Sequence, residues 1–195
     1  MKNFALTKFL RDETANMTVE FVVILPLLIL WYIGTLVFFD AYKSRMQADA
    51  AAYTIADIMS RFEATDTKPG LQMNDIDELL LLRTSMLPSA PAGGWLRFSS
   101  IHYDDSDGSY NVQWSCVATG GQALGLESGN IPVAELPLML DDEVIIMVES
   151  VVPYRPLVDW VGIAERTWLT RATVSPRFED EILMEVGECT YDANA

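Results

Sequence analysis

Basic residues, histidine and cysteine are scarce in this sequence, and each shortage argues against a class of function. The chain has 13 Lys and Arg against 28 Asp and Glu, which gives a net charge of −15. Residues 46–195 carry 24 of the acidic and 8 of the basic residues. Nucleic acid is a poor partner for such a surface, because its phosphates are bound by lysine and arginine. One histidine and two cysteines are too few ligands for a typical zinc site.

Motifs that carry catalysis are also missing. The sequence contains no P-loop and no GxSxG nucleophile elbow. The acidic segment Asp104–Gly108 fails the EF-hand pattern, since Tyr103 and Trp114 would fall at its first and twelfth positions. It predicts a solvated turn and leaves weak calcium binding open. His102 has no partner for a catalytic triad and is predicted to be a strand residue. We therefore predict no enzyme, no cofactor and no metal.

The most prominent feature present is an uncharged apolar run from Phe21 to Phe39. As a helix, 19 residues extend about 28 Å, close to the ~30 Å hydrocarbon core of a bilayer. A secretory signal peptide has a shorter apolar region followed directly by its cleavage site. Here the nearest Ala-x-Ala, Ala48–Ala50, lies beyond charged residues. The run predicts a retained membrane anchor, with a cleaved signal peptide as the alternative.

The charges on either side of the run divide the chain into three parts. We predict a leader over residues 1–15, a transmembrane helix over 16–45 and an extracytoplasmic domain over 46–195. Basic residues of the leader outnumber those just beyond the run by three to two. This small bias favours a cytoplasmic N-terminus.

Glu20, at the N-terminal edge of the run, is the residue that invites a functional explanation. An unpaired carboxylate at this depth costs up to a few kcal/mol. It can extend to the interface and interact with the positive end of the helix dipole, which requires no function. Alternatively, a cation at the same depth neutralises it. A free α-amino group, made by cutting the chain a few residues upstream, would be such a cation and would align neighbouring subunits.

The helix is predicted to continue far beyond the apolar run, from about Met17 to Phe62. After Asp40 its apolar residues recur at spacings of three and four, which is typical of a helix packed on a core. This predicted stripe comprises Ala48, Ala51, Ala52, Ile55, Ile58, Met59 and Phe62. The alternative is a break near Asp40 that produces two separate helices.

The rest of the chain predicts one short helix followed by strands. Asn74 is the predicted N-cap of the short helix, whose first turn is acidic. Apolar and polar residues then alternate, which is typical of strands, at Trp95–Tyr103, Tyr110–Ala118, Val144–Val152 and Thr167–Val174. Asp104–Gly108 predicts a hairpin between the first two strands. The predicted fold is α+β, with a long N-terminal helix followed by a domain with an antiparallel sheet.

The two cysteines, Cys116 and Cys189, lie far apart in the sequence. In an oxidising compartment their pairing would close a 74-residue loop and stabilise the fold by roughly 4 kcal/mol. The alternative is two buried free thiols. An exported domain favours the disulfide.

The N-terminal segment resembles a known family. Phe9–Glu13 followed by Thr18–Pro26 (TVEFVVILP) is similar to the N-terminus of TadE-like minor pseudopilins of the tight-adherence (Flp) pilus system. In that family a Val-Glu-Phe motif precedes an apolar run with a proline six residues past the glutamate, as Glu20 and Pro26 do here. Thr170–Phe178 and Val152–Leu157 resemble the family's C-terminal segments more loosely.

This resemblance implies an assembly function and a specific processing step. A prepilin peptidase would cut the Ala15–Asn16 bond on the cytoplasmic side, where the family usually has glycine instead of Ala15. Glu20 would become the fifth residue and pair with a neighbour's terminal amine. The implied location is the bacterial inner membrane, with a single span and a periplasmic C-terminal domain. The implied partners are other pilin and pseudopilin subunits and the pilus assembly machinery.

Two further functions agree with the same topology. A single-span membrane-anchored sensor or ligand-binding protein would place its binding site in the external domain. A membrane-anchored hydrolase would need catalytic residues that the sequence does not show.

Overall fold

A computed structural model of the chain describes residues 13–65, 70–118, 125–158, 162–185 and 191–192. Within this part, the chain forms two α-helices, five β-strands and two short 3-10 turns. The helices are α1 (Glu13–Ser60) and α2 (Met73–Met86), and the strands are β1 (Trp95–Asp104), β2 (Ser109–Ala118), β3 (Val144–Tyr154), β4 (Arg166–Val174) and β5 (Tyr191–Asp192). The predicted α+β fold is confirmed.

The contacts divide the chain into two compact units. One contains Met1–Tyr42 and Pro156–Ala164, and the other contains Lys43–Arg155 and Glu165–Ala195. Helix α1 contributes residues to both units, and β1 to β5 belong to the second.

Helix α1 is continuous over 48 residues, as predicted, and no break occurs at Asp40. Pro26 lies within it and removes one backbone donor without ending the helix. At the C-terminal end, the N–H groups of Arg61 and Phe62 bond to the carbonyls three residues earlier. This tighter pattern is typical of a helix end.

Helix α2 begins one residue before the predicted N-cap, so the prediction for Asn74 is wrong. The cap is Gln72, whose backbone N–H donates to the Asp75 carboxylate at 3.0 Å. An acidic side chain three residues after the cap satisfies a donor that has no partner within the helix. Asn74 therefore lies in the first turn rather than at the cap.

The strands form one antiparallel sheet in the order β4-β3-β1-β2-β5. All four long strands that the alternation predicts are present, with ends that differ by at most two residues. The β1–β2 register shifts between Ser100 and Ile101, where β2 contains one extra residue. Such a bulge changes the local twist and the position of the side chains beyond it. Strand β5 pairs with β2 and was not predicted.

One face of the sheet is covered by the two helices and forms the main core. The C-terminal half of α1 contributes Ala48, Ala51, Ala52, Ile55 and Met59, which are all buried, so these positions of the predicted stripe are confirmed. Phe62 packs against the same core, but Ile58 is 42% exposed and its predicted place in the stripe is wrong. The core residues of the sheet on this face are Leu96, Phe98, Trp114, Cys116, Ala118, Ile146, Val148 and Ala172.

The other face of the sheet is covered in part by the segment between β2 and β3. Ile101, Val112, Ile145 and Met147 form a second buried cluster there with Leu126. On that face, residues of this long connection cover the sheet, whereas helices cover the opposite face.

A charged row crosses the same face beside this cluster. Arg97 of β1 lies opposite Glu149 of β3, and Glu149 lies opposite Arg171 of β4. The Nε atoms of the two arginines donate to the two Glu149 carboxylate oxygens at 2.6 and 2.7 Å. Arg171 also donates to both carboxylate oxygens of Glu135 at 2.6 and 2.7 Å. Although burial opposes it, hydrogen bonding to Glu149 and Glu135 raises the pKa of Arg171.

The glutamate at the centre of this row is essential to its charge balance. Glu149 is only 1% exposed, and both guanidinium groups that contact it are largely buried. Removing one partner of a buried ion pair leaves the other charge desolvated and uncompensated. The stability of the charged row therefore depends on the negative charge of Glu149, and not only on the hydrogen bonds that its side chain accepts.

We predict that Glu149→Gln lowers the free energy of unfolding by about 3 kcal/mol, because it leaves two buried guanidinium groups with less compensating charge. Urea unfolding of the full chain in mild detergent, followed by tryptophan fluorescence, measures this. Glu165→Gln is the matched control. It removes an exposed pair with Arg155 and should cost only ~0.5 kcal/mol. Equal, small losses in both variants would contradict a structural role for the charged row.

Candidate functional site

The first half of α1 exposes most of its large apolar side chains. Within the part of the chain that the structure describes, Val19–Ser60 is the one helix long and apolar enough to cross a membrane. Only 6% of its most apolar 18-residue window is buried. A core helix of a water-soluble protein would instead be mostly covered by its own fold. The exposed side chains include Phe21, Val22, Leu27, Leu28, Trp31, Phe38 and Phe39.

Glu20 is an exposed member of this apolar helix. It is the eighth residue of α1, since the helix begins at Glu13, and so lies about two turns from the start. The stabilising effect of the helix dipole on an acid declines after the first turn. In the uncut chain, the dipole therefore does little to offset the cost of placing this carboxylate beside an apolar segment.

The predicted processing site lies just inside the same helix. The backbone of Ala15 and Asn16 is helical, within the first four residues of α1. The first N–H groups of a helix have no intrahelical acceptor, so this turn opens more easily than the interior. Cutting the Ala15–Asn16 bond would bring Glu20 into the new first turns, where the dipole favours a negative charge.

A second apolar segment groups with the first half of α1. Pro156–Ala164 belongs to the same compact unit as the apolar run. Val37, Ala41 and Ile163 of that unit are buried, whereas Leu157 is 80% exposed. That this segment joins the same unit as the apolar run was not predicted from the sequence. The signal in the sequence that could have indicated this is its mainly apolar composition, since a connection between two strands such as β3 and β4 is commonly a polar turn.

Arg45, one of the basic residues just beyond the apolar run, has a structural role. Its guanidinium donates to Asp49 at 3.1 Å and to the Leu169 carbonyl at 3.1 Å. It also lies over the Trp168 ring, 5.6 Å from the centroid, and Arg166 lies 5.4 Å from the same centroid. Arg45 therefore ties α1 to the free edge of β4, beside a cleft of about 450 Å³.

The acids of the β1–β2 hairpin mainly satisfy local hydrogen bonds. Asp104 accepts from the hydroxyl and the N–H of Ser106, which lowers the pKa of its carboxyl group. His102 lies in β1, as predicted, with its Nε2 2.8 Å from Asp142. Among the described residues, no three His, Cys, Asp or Glu side chains come together in a way that would hold a metal ion.

Cys116 is buried in β2 and is disulfide-bonded. Cys189 lies outside the described residues, so the Cys116–Cys189 pair stays a prediction. The neighbouring strand supports it, since Tyr191 of β5 pairs with Ser115, next to Cys116. Cys189 is only two residues before Tyr191 in the chain. Two residues span at most about 7 Å.

The described residues thus define a class, an α+β protein with one candidate membrane-spanning helix. No protein-family model, curated protein or solved structure matches the chain. The similarity of Thr18–Pro26 to the TadE-like pseudopilins therefore stays a prediction.

We predict that the unreduced chain contains no alkylatable thiol and that Cys189→Ser lowers the free energy of unfolding by roughly 4 kcal/mol, because the unfolded chain gains entropy when the loop opens. Mass spectrometry after alkylation and urea unfolding measure the two effects. Reducing the parent chain should produce the same loss, and reducing the variant should add nothing. Two modified thiols in the unreduced chain would show that the pair does not form.

Proposed function

We propose that this chain is a minor pseudopilin or assembly component of a tight-adherence, type IV-like pilus and is not an enzyme. It would be anchored in the bacterial inner membrane by α1, with the α+β domain in the periplasm. The observation that carries the proposal is Glu20, a carboxylate on an exposed helix at the edge of a long apolar run, six residues before Pro26. Other pilin and pseudopilin subunits and a prepilin peptidase would be its partners.

The exposed helix supports assembly because it can exchange one apolar environment for another. Side chains such as Phe21 and Phe39 contact lipid in the membrane and can contact the helices of other subunits in a fibre. Glu20, the single carboxylate, would then determine how neighbouring helices align. In an apolar helix bundle, an unpaired Glu20 is unfavourable, whereas a Glu20 paired with a cation is tolerated.

The geometry of a helix sets the register that such a pair would impose. Asn16 would carry the free amine after cleavage, and Glu20 lies four residues further along. Four residues correspond to about 6 Å of rise. Pairing the amine of one subunit with the carboxylate of the next would therefore offset the two helices by about 6 Å along their axes.

The alternative is a single-span, membrane-anchored sensor or ligand-binding protein. The observation that favours it is Arg83, a buried arginine that lines a cleft in the α+β domain. This alternative requires neither cleavage at Ala15–Asn16 nor a charge at Glu20, so the two variants below separate the candidates.

We predict that Glu20→Ala leaves membrane insertion unchanged but reduces the number of assembled pili at least tenfold, because the terminal amine loses its partner. Membrane fractionation and electron microscopy of piliated cells measure the two properties. Glu63→Gln is the control, since it removes an exposed acid outside the apolar run and should leave pili at parent levels. Normal piliation in Glu20→Ala would refute the pairing role.

We predict that Ala15→Gly accelerates processing by prepilin peptidase, because glycine disfavours the helical turn at the cut by about 1 kcal/mol relative to alanine. N-terminal sequencing of membrane-extracted protein over a time course measures the cut fraction. Ala5→Gly, further from the bond, should process at the parent rate. Recovery of an intact Met1 from parent and Ala15→Gly chains alike would rule out the processed pseudopilin.

A further inference from the structure

Arg83 is the one arginine in the described part of the chain that is less than 10% exposed. It lies in the last turn of α2 and is 6% exposed. Its Nη1 donates to the Trp95 carbonyl at 2.8 Å and to the Val151 carbonyl at 3.3 Å. These bonds tie α2 to β1 and β3. The Nε atom is fully buried and has no hydrogen-bond partner among the described residues.

Among the described arginines, Arg83 combines burial with the absence of an ion pair, whereas Arg166, which also has none, is exposed. Within the described residues, six other arginines pair with carboxylates, but no ion pair involves Arg83. The paired residues are Arg45, Arg61, Arg97, Arg155, Arg171 and Arg177. In a chain with 28 acidic residues, a buried arginine without one nearby is unexpected. Burial, with no acid to oppose it, lowers the pKa of Arg83.

Arg83 is one of the residues that line a cleft of about 320 Å³. Its walls are mainly apolar and come from Leu80 of α2, from Leu87, Ala90 and Pro91, which follow α2, and from Val152 of β3. This volume suits a small molecule or the end of a peptide rather than a large ligand.

Gly94 holds the linker close to the acceptors of Arg83. It has a φ of 81°, which favours glycine, and a Cβ at this position would lie 2.1 Å from the Val151 carbonyl oxygen. Because Val151 is one of the two carbonyls that Arg83 contacts, the cleft wall and the guanidinium are positioned by the same backbone. Joining α2 to the sheet explains why Nη1 bonds to two carbonyl oxygens. It does not explain why the positive charge of a residue that lines a cleft has no carboxylate partner among the described residues.

We propose that this cleft binds a monocarboxylate with a short apolar tail. The carboxylate would neutralise Arg83, and the tail would contact the aliphatic wall formed by Leu80, Leu87 and Val152. A single guanidinium balances a single negative charge, and charge-assisted hydrogen bonds to arginine are among the stronger ones in proteins. The carboxylate can come from a free small acid or from the C-terminus of a peptide. The proposal does not depend on the pilus function.

Butyrate is the first probe, titrated into the full-length protein in detergent micelles by isothermal calorimetry, with butyramide as the neutral control. For six heavy atoms we expect a dissociation constant on the order of 1 mM for butyrate. Butyramide should bind at least tenfold more weakly, because it lacks the charge. Equal affinity for butyrate and butyramide, or no measurable binding of butyrate, would overturn the proposal.

Three variants assign the binding to this cleft. Arg83→Gln should weaken butyrate at least tenfold, whereas Arg166→Gln, at an exposed arginine that stacks on Trp168, should bind as the parent does. If Arg83→Gln fails to fold, Ala92→Trp tests the site while retaining the arginine. Ala92 is exposed at the cleft, so a bulky side chain there should block binding without unfolding the domain. Undiminished affinity in a folded Arg83→Gln or Ala92→Trp would refute the site.

A second pair of probes distinguishes the two sources of the carboxylate. Acetyl-Ala-Ala with a free C-terminus is compared with its C-terminal amide and with butyrate. A peptide acid that binds at least tenfold tighter than butyrate indicates a chain terminus as the ligand. A peptide acid that binds no tighter than butyrate indicates a free small acid. Equal binding of the peptide acid and its amide would contradict carboxylate recognition.

Discussion

The exposure of the apolar half of α1 is the constraint on which the rest of this protein depends. A helix with side chains such as Phe21, Trp31 and Phe39 in water is unfavourable, at roughly 25 cal/mol for each Å² of apolar surface. The fold leaves this stretch largely uncovered, as expected of a candidate membrane-spanning helix. A single carboxylate at the edge of such a surface is costly in an apolar environment unless it reaches water or pairs with a cation.

The second half of α1 is covered by the protein itself. Its small residues Ala48 and Ala51 pack in one cluster with Val152 of β3 and Met86 of α2, where a larger side chain would not fit as closely. One continuous helix thus changes from an exposed apolar rod to an amphipathic core element without a break. The change follows from the side-chain pattern, since the helix itself is continuous.

Charge is distributed unevenly between the two faces of the sheet. The helix-covered face is apolar, whereas the other face contains the row of Arg97, Glu149 and Arg171 beside a smaller apolar cluster. A buried charge row of this kind is tolerated because each guanidinium has a carboxylate partner. Arg83 is the exception, because among the described residues its guanidinium contacts two carbonyl oxygens and no carboxylate.

Local patterns were sufficient to predict the two helices, the four long strands and the fold class, but not the short strand β5. Helix α1 and the four long strands follow from the spacing of apolar residues, which a single sequence records directly. Errors occurred where a choice depended on neighbours in space. Ile58 has the spacing of the core stripe but lies beyond its edge, and Gln72 became the helix cap because Asp75 was placed to accept its N–H.

The sequence by itself determined the long apolar helix, the acidic α+β domain and the isolated Glu20, because composition and periodicity are properties of the chain. Tertiary structure alone decided which charges meet. Glu149 lies between Arg97 and Arg171 only because three strands adopt one register, and residues 52 and 22 positions apart cannot be matched by local pattern. For the same reason, the buried Arg83 and its cleft became visible only when α2, the linker and β3 were brought together.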